Sequence, residues 1–339
     1  MAIELSPKKE GEYLYNRGLV KSRLDMVVEA VEDYKEAIIQ MSKSSSGEDE
    51  SKYQAYFNRG ICLRRLGRLQ ESIDDLEKAR TIKADKSSVH NNLGLSYFEK
   101  GEFELALQSY DKAIQMEPSS VHYNNRGLAN YHFDQHENHL ELAKQDFDEA
   151  IIKDPRDPTI YFNRGNVYLN WKPKQRFEDA HRDYDLALEI APTNAKLWHS
   201  KGLAYQGQAE LIFKETDTQN MELISHSIEM YQQALSLQEN FVSSRFHLGL
   251  MYHRINKFQE ALKCFSKVLE KIKDDRTVYI ARGVVYQDMK NHQLAIKDFS
   301  AAIKYDPDCS EGYYRRGRSQ YYSKRYKEAI EDFNTAESK

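Results

Sequence analysis

A glycine returns nine times in a similar frame, at Gly18, Gly60, Gly94, Gly127, Gly165, Gly202, Gly249, Gly283 and Gly317. The intervals are 42, 34, 33, 38, 37, 47, 34 and 34 residues, so a base period of 34 carries a few insertions. Self-similarity at such a period means stacked supersecondary units rather than one globular core. Behind most of these glycines comes a second pattern: a small residue, a large one four places on, and a small one three further. Ala106/Tyr110/Ala113, Ala143/Phe147/Ala150, Ala180/Tyr184/Ala187, Ala295/Phe299/Ala302 and Ala329/Phe333/Ala336 follow it. Steps of four and three keep side chains on one stripe of a helix. Pro118, Pro155, Pro192 and Pro307 then close their units. A proline ring and its missing N–H break the helical ladder there.

Numbered so that the glycine is position 8, the unit has small residues at 8, 20 and 27 and a large one at 24. Position 11 is often tyrosine (Tyr97, Tyr168, Tyr205, Tyr252, Tyr286). This signature resembles the tetratricopeptide repeat (TPR) over about residues 11 to 337. One helix pair cannot bury its apolar face alone, so neighbouring pairs must stack. The resemblance implies an all-α fold, a right-handed TPR superhelical solenoid of nine antiparallel helix pairs, with helix A of each pair lining the concave face. The expected organisation is an N-terminal lead over 1–10 and a single array over 11–339. Its repeats run at about 11–44, 53–86, 87–119, 120–157, 158–194, 195–241, 242–275, 276–309 and 310–339. The sixth repeat gains residues around Glu210 to Glu222, which predicts longer helices meeting at a protruding tip. Ser42 to Ser51 reads as a polar loop.

Positions 7 and 23 vary together. Arginine stands at 7 in six repeats (Arg17, Arg59, Arg126, Arg164, Arg282, Arg316), and the same six carry aspartate at 23 (Asp33, Asp75, Asp146, Asp183, Asp298, Asp332). The other three combine Leu93 with Ser109, Lys201 with Met230 and Leu248 with Cys264. A guanidinium fork can hold a carboxylate through two hydrogen bonds, so an ion pair linking helices A and B is expected in each of the six. Its expected role is structural, pinning the register of the pair.

The family resemblance also places positions 2, 5, 6, 9 and 12 of helix A in the groove. Position 6 is asparagine in the first five repeats: Asn16, Asn58, Asn92, Asn125 and Asn163. Such a row resembles the asparagine ladder of the O-GlcNAc transferase TPR superhelix, whose amides could clasp the backbone of an extended peptide. Position 5 is aromatic at Tyr15, Phe57, Phe162, Phe246 and Tyr314, and position 9 is mostly aliphatic. In the last repeat Arg315 and Arg318 flank Tyr314 and Tyr321, an arrangement suited to an acidic segment unless Glu311 neutralises it.

Other function classes find little support. With 49 Lys+Arg against 53 Asp+Glu the formal charge is −4, so no nucleic-acid partner is expected. No apolar run is long enough for a membrane span, and the N-terminus lacks the apolar stretch of a signal peptide. Three cysteines without a CxxC point to a reducing compartment: the cytoplasm, or a ciliary or cytoskeletal structure within it. Nucleotide, hydrolase and metalloprotease motifs are missing, so neither an enzyme nor a cofactor is expected. His132, His136 and His139 have helical metal-ligand spacing, but they fall in an inter-helix insertion and read as a solvated turn, so no metal is expected. The reading is a non-catalytic scaffold that binds a partner peptide or protein segment in its groove. The alternatives are a structural subunit of a large assembly, such as a ciliary or microtubule-associated complex, or a TPR targeting arm of a longer enzyme. The C-terminal end is expected to be covered by more chain, a partner or a second copy.

Overall fold

The computed structural model describes residues 7–43, 49–135, 137–171 and 176–339. Among these residues there are eighteen helices and no strand. They alternate as A and B helices in nine consecutive pairs. The first four pairs are α1 (Pro7–Arg23) with α2 (Val27–Ser42), α3 (Asp49–Arg65) with α4 (Leu69–Ile82), α5 (Ser87–Lys100) with α6 (Phe103–Met116), and α7 (Ser120–His132) with α8 (His139–Lys153). Next come α9 (Pro158–Leu169) with α10 (Phe177–Ile190), and α11 (Ala195–Thr216) with α12 (Met221–Leu237). The last three are α13 (Val242–Arg254) with α14 (Phe258–Lys271), α15 (Arg276–Asp288) with α16 (His292–Tyr305), and α17 (Ser310–Tyr322) with α18 (Tyr326–Ser338).

The chain divides into two compact units, residues 1–167 and 168–339, with the boundary inside α9. In the first unit, helix B of one pair packs on helix A of the next, as α2 does on α3, α4 on α5 and α6 on α7. The second unit repeats this scheme from α10 on α11 to α16 on α17.

The glycine at position 8 exists to admit the ring at position 24. A Cβ added to Gly94 would lie 2.5 Å from Tyr110, and one on Gly283 would lie 2.6 Å from Phe299. Gly18 and Gly202 face Tyr34 and Tyr231 in the same way. These rings are fully buried and form the centre of each helix pair.

The A–B turns share one device that the glycine count hides. The residue at position 15 is left-handed in six repeats: Asp25, Gly67, Gly101, Asn256, Lys290 and Lys324. The next N–H then bonds a carbonyl five residues back, as Arg68 does to Leu63 and Asn291 to Tyr286. This is a Schellman C-cap, closing helix A and aiming helix B back along it. At the other end, helix B stops two residues before Pro118, Pro155, Pro192 and Pro307, since a proline disfavours helical backbone in the residue ahead of it.

Two boundaries differ from the sequence reading. Helix α1 starts at Pro7, inside the expected lead. Helix α3 takes in Asp49 to Ser51 from the expected loop, and Glu50 bonds Lys83. The part of that loop over 44–48 lies outside the described residues. The insertion of the sixth repeat lengthens α11 to 22 residues and α12 to 17. Leu211 and Ile212 border a cavity of about 400 Å³ with Phe177, and Phe213 lies under the Arg254 guanidinium.

Candidate functional site

The Arg–Asp positions meet. Arg17 Nε and Nη2 donate to Asp33 at 2.8 and 2.6 Å, and Arg59 does the same to Asp75 at 2.5 and 2.8 Å. Arg126 bonds Asp146, with Nη2 at 2.5 Å. Arg282 and Arg316 hold Asp298 and Asp332 through two bonds each, at 2.7–2.8 Å. For the remaining combination, Arg164 lies in the first unit and Asp183 in the second, and their pairing is an expectation from the sequence. The carboxylates are buried, and the arginine side chains are largely so except Arg17, which is 47% exposed. The hydrogen bonds from Arg17 hold the Asp33 carboxyl below its ordinary range.

Two further contacts of these arginines escaped the sequence reading. The unused Nη1 reaches helix B of the preceding repeat, at its position 25. Arg126 bonds Asp111 and Arg164 bonds Asp148, both at 2.6 Å, while Arg282 bonds Ser266 and Arg316 bonds Ser300 at 3.2 Å. Lys201, which replaces arginine in the sixth repeat, bonds Asp185 in the same way. Arg126, Arg282 and Arg316 thus each join three helices, two of their own repeat and one of the repeat before. The planar face of the arginine lies over a tyrosine at position 4, as in Arg59 over Tyr56 at 5.7 Å and Arg316 over Tyr313 at 5.4 Å. The detectable signal was an acceptor at position 25 ahead of every one of these five polar position-7 residues.

The asparagine row is knitted to itself. Asn58 Nδ2 donates to the Tyr15 hydroxyl at 3.1 Å, Asn125 to Asn91 at 2.9 Å and Asn163 to Asn124 at 2.9 Å. In each case position 6 donates to position 5 of the preceding repeat. The residue before Asn92 in this scheme is Phe57, which offers no acceptor, and Asn92 turns to the Ser88 carbonyl of its own helix at 2.8 Å. Asn16 is exposed. One amide N–H of Asn58, Asn125 and Asn163 therefore links neighbouring A helices, which leaves Asn58 and Asn125 a second N–H and the carbonyl oxygen for other partners.

Beside this row, one helical turn on, Leu19, Ile61, Leu95 and Leu128 are partly exposed. Of the position 5 aromatics, Tyr15 packs near Tyr34 and Phe57 stacks on Tyr53 at 5.8 Å. Phe162 is half-buried. Phe246 lies 5.8 Å from Phe265. These rings fill space between helices more than they face solvent.

The last repeat is different. Tyr314, Tyr321 and Tyr322 are exposed, and Arg318 lies over Tyr314. Arg315 bonds Glu311 at 2.7 Å, so this charge is locally answered. Arg315, Arg318 and Tyr322 border a cavity of about 330 Å³ with Val284, Lys290 and His292.

The second unit also holds a histidine pair that the sequence reading did not single out. His199 Nδ1 meets Ser244 Oγ at 2.9 Å, and His247 Nδ1 meets Gln206 Oε1 at 3.1 Å, with the rings 5.7 Å apart. Burial lowers both, His199 to about 4. Of the histidines with metal-like spacing, His132 packs edge-on to Phe98, and His136 lies outside the described residues. Among the described residues no helix is long and apolar enough to cross a membrane.

With this geometry in view, comparison with known proteins is informative. Tetratricopeptide repeat models match residues 28–89 and 280–339, 87–120, and 244–279, together more than half of the chain. Over 210 residues the chain is 22% identical to human RNA polymerase II-associated protein 3, covering 59% of this chain and 29% of that one. The same-named protein of Xenopus tropicalis is 24% identical over 201 residues, covering 57% and 29%. The chain thus spans under a third of the length of these curated relatives. Among solved structures, the C-terminal part of a TPR repeat-containing protein from Cytophaga hutchinsonii is similar at TM-score 0.55 and 16% identity, covering 76% of this chain and 97% of that one. A tetratricopeptide repeat protein from Parabacteroides merdae reaches TM-score 0.53 at 18% identity, covering 82% and 99%. At these identities the likeness is one of fold.

Proposed function

Because the chain belongs to the tetratricopeptide repeat family, we propose that it is a protein-interaction scaffold, without chemistry of its own, that takes a partner segment across the faces of its A helices. The observation that carries this reading is the partly exposed row Leu19, Ile61, Leu95 and Leu128, one turn from Asn16, Asn58, Asn92 and Asn125. Apolar side chains offer anchor sites, and amide carbonyls beside them can accept N–H groups from an extended backbone. Affinity would be spread over many modest contacts on a preformed surface, which needs little ordering on binding. Linking the amides to one another fits that role, since it fixes the spacing of the A helices. The free, buried state of Cys62, Cys264 and Cys309 agrees with a reducing compartment such as the cytoplasm.

The test is a selection of displayed peptides against the intact chain, followed by titration of the selected peptides. A Leu95→Glu/Leu128→Glu variant should weaken them at least tenfold, while Ile152→Glu on exposed α8 should change nothing. Equal loss with Ile152→Glu, or no loss with the leucine variant, would move the binding surface away from the A helices.

A further inference from the structure

The face of α1 that points away from α3 is built like the buried faces of the other A helices. Elsewhere positions 3 and 10 are covered by helix B of the preceding repeat. Ala55 and Cys62 of α3 are 0% and 1% exposed, and Val89 and Ser96 of α5 are fully buried. The same positions of α1, Tyr13 and Val20, are 62% and 57% exposed, and Leu24 at position 14 is 65% exposed. Arg17 sits among them with Nε and Nη2 on Asp33 and, among the described residues, no partner for its Nη1. In four other repeats (Arg126, Arg164, Arg282 and Arg316) that nitrogen bonds position 25 of the preceding helix B.

This face therefore states what fits it: a helix B with apolar residues at positions 17 and 21 and an acceptor at 25. At the two apolar positions α2 meets α3 in this way, Val27 and Val31 packing with Cys62 and Leu66, although its position 25 is Lys35. Helix α18 presents this set to solvent, with Tyr326 at 17, Ile330 at 21 and Asn334 at 25; the first two are 55% and 60% exposed. The charges also complement each other. α1 holds five basic and two acidic residues, and α18 holds one basic and four acidic ones.

We propose that copies of this chain associate head to tail, α18 of one copy seating on α1 of the next as a helix B seats on the following helix A. Tyr326 and Ile330 cover Val20 and Leu24, and Asn334 Oδ1 accepts from Arg17 Nη1. Such an interface is heterologous, with different surfaces on its two sides, so it can be used again at each free end.

Sedimentation velocity over a hundredfold dilution series of the 339-residue chain tests this. The wild type should show a mass that rises with concentration. Val20→Glu and Ile330→Glu should each be monomeric, with unchanged circular dichroism because both sites are exposed. Mixed in equal amounts, they should form a 1:1 dimer and nothing larger, since the mixture holds one intact pair of faces. Asn334→Asp gives Arg17 the carboxylate that Asp111 gives Arg126, and should tighten association several-fold. A wild type monomeric at every concentration would assign the α1 face to another partner or to further chain, and would overturn the proposal. So would association surviving both glutamate variants, or a mixture that stays monomeric.

Discussion

Replacing Asp298 by alanine isolates what the Arg–Asp pair does. Asp298 is 4% exposed and accepts two bonds of 2.8 Å from Arg282, whose side chain is 19% exposed. Breaking a buried pair by removing one partner costs about 3–5 kcal/mol, because a charge is left uncompensated. Here Arg282 keeps Ser266 and the face of Tyr279, and its partial hydration screens the rest. The expected loss is therefore about 2–3 kcal/mol. The double change Arg282→Leu/Asp298→Ser installs the combination native to the third repeat, Leu93 with Ser109, and should cost under about 1 kcal/mol. Guanidinium chloride unfolding followed by circular dichroism gives the four corners of the cycle. Hydrogen exchange in α15 and α16 checks that the same segment is being reported, since repeat arrays can unfold in parts. If the double change cost the sum of the two single ones within about 0.5 kcal/mol, the residues would not be energetically coupled and the pairing argument would fail.

Two further perturbations test the core and the histidine pair. Gly94→Ala puts a methyl group 2.5 Å from the Tyr110 ring and should lower stability by about 1–3 kcal/mol. Adding Tyr110→Leu, the residue type found opposite Gly60, should recover part of that loss, and a thermal melt unmoved by Gly94→Ala would refute the close approach. His199 has a folded pKa of about 4 against 6.5 when exposed, and His247 is lowered too, so the folded state binds fewer protons than the unfolded one between these values. The stability from neutral His199 is complete above its unfolded value and is lost as pH falls through that window, on the order of 1–2 kcal/mol by about pH 4.5. Denaturant midpoints of wild type and His199→Gln across this range measure it; parallel profiles would refute the assignment.

The repeat frame was legible because its determinants lie within one unit: a glycine, the ring it admits, and a proline, at spacings fixed by the helix. Positions 7 and 23 could be connected for the same reason, being two turns on facing helices of one repeat. What lay between repeats was harder to read. The Nη1 contact to position 25 and the Asn58–Tyr15 bond depend on how one pair stacks on the next, which a 34-residue period does not specify. The asparagines looked like a row of free amides because their partners stand one repeat earlier. The A–B turns concealed themselves similarly, since Lys290 and Lys324 take a left-handed conformation that their side chains do not advertise. The histidine pair joins α11 to α13 across 48 residues of sequence, beyond any local pattern.

Hydrogen exchange of the intact chain, alone and saturated with a display-selected peptide, tests the scaffold reading most directly. Protection should rise in α3, α5 and α7, whose faces carry Ile61, Leu95 and Leu128, while α4, α6 and α8 keep their rates. Protection confined to the B helices, with the A helices unchanged, would contradict the account.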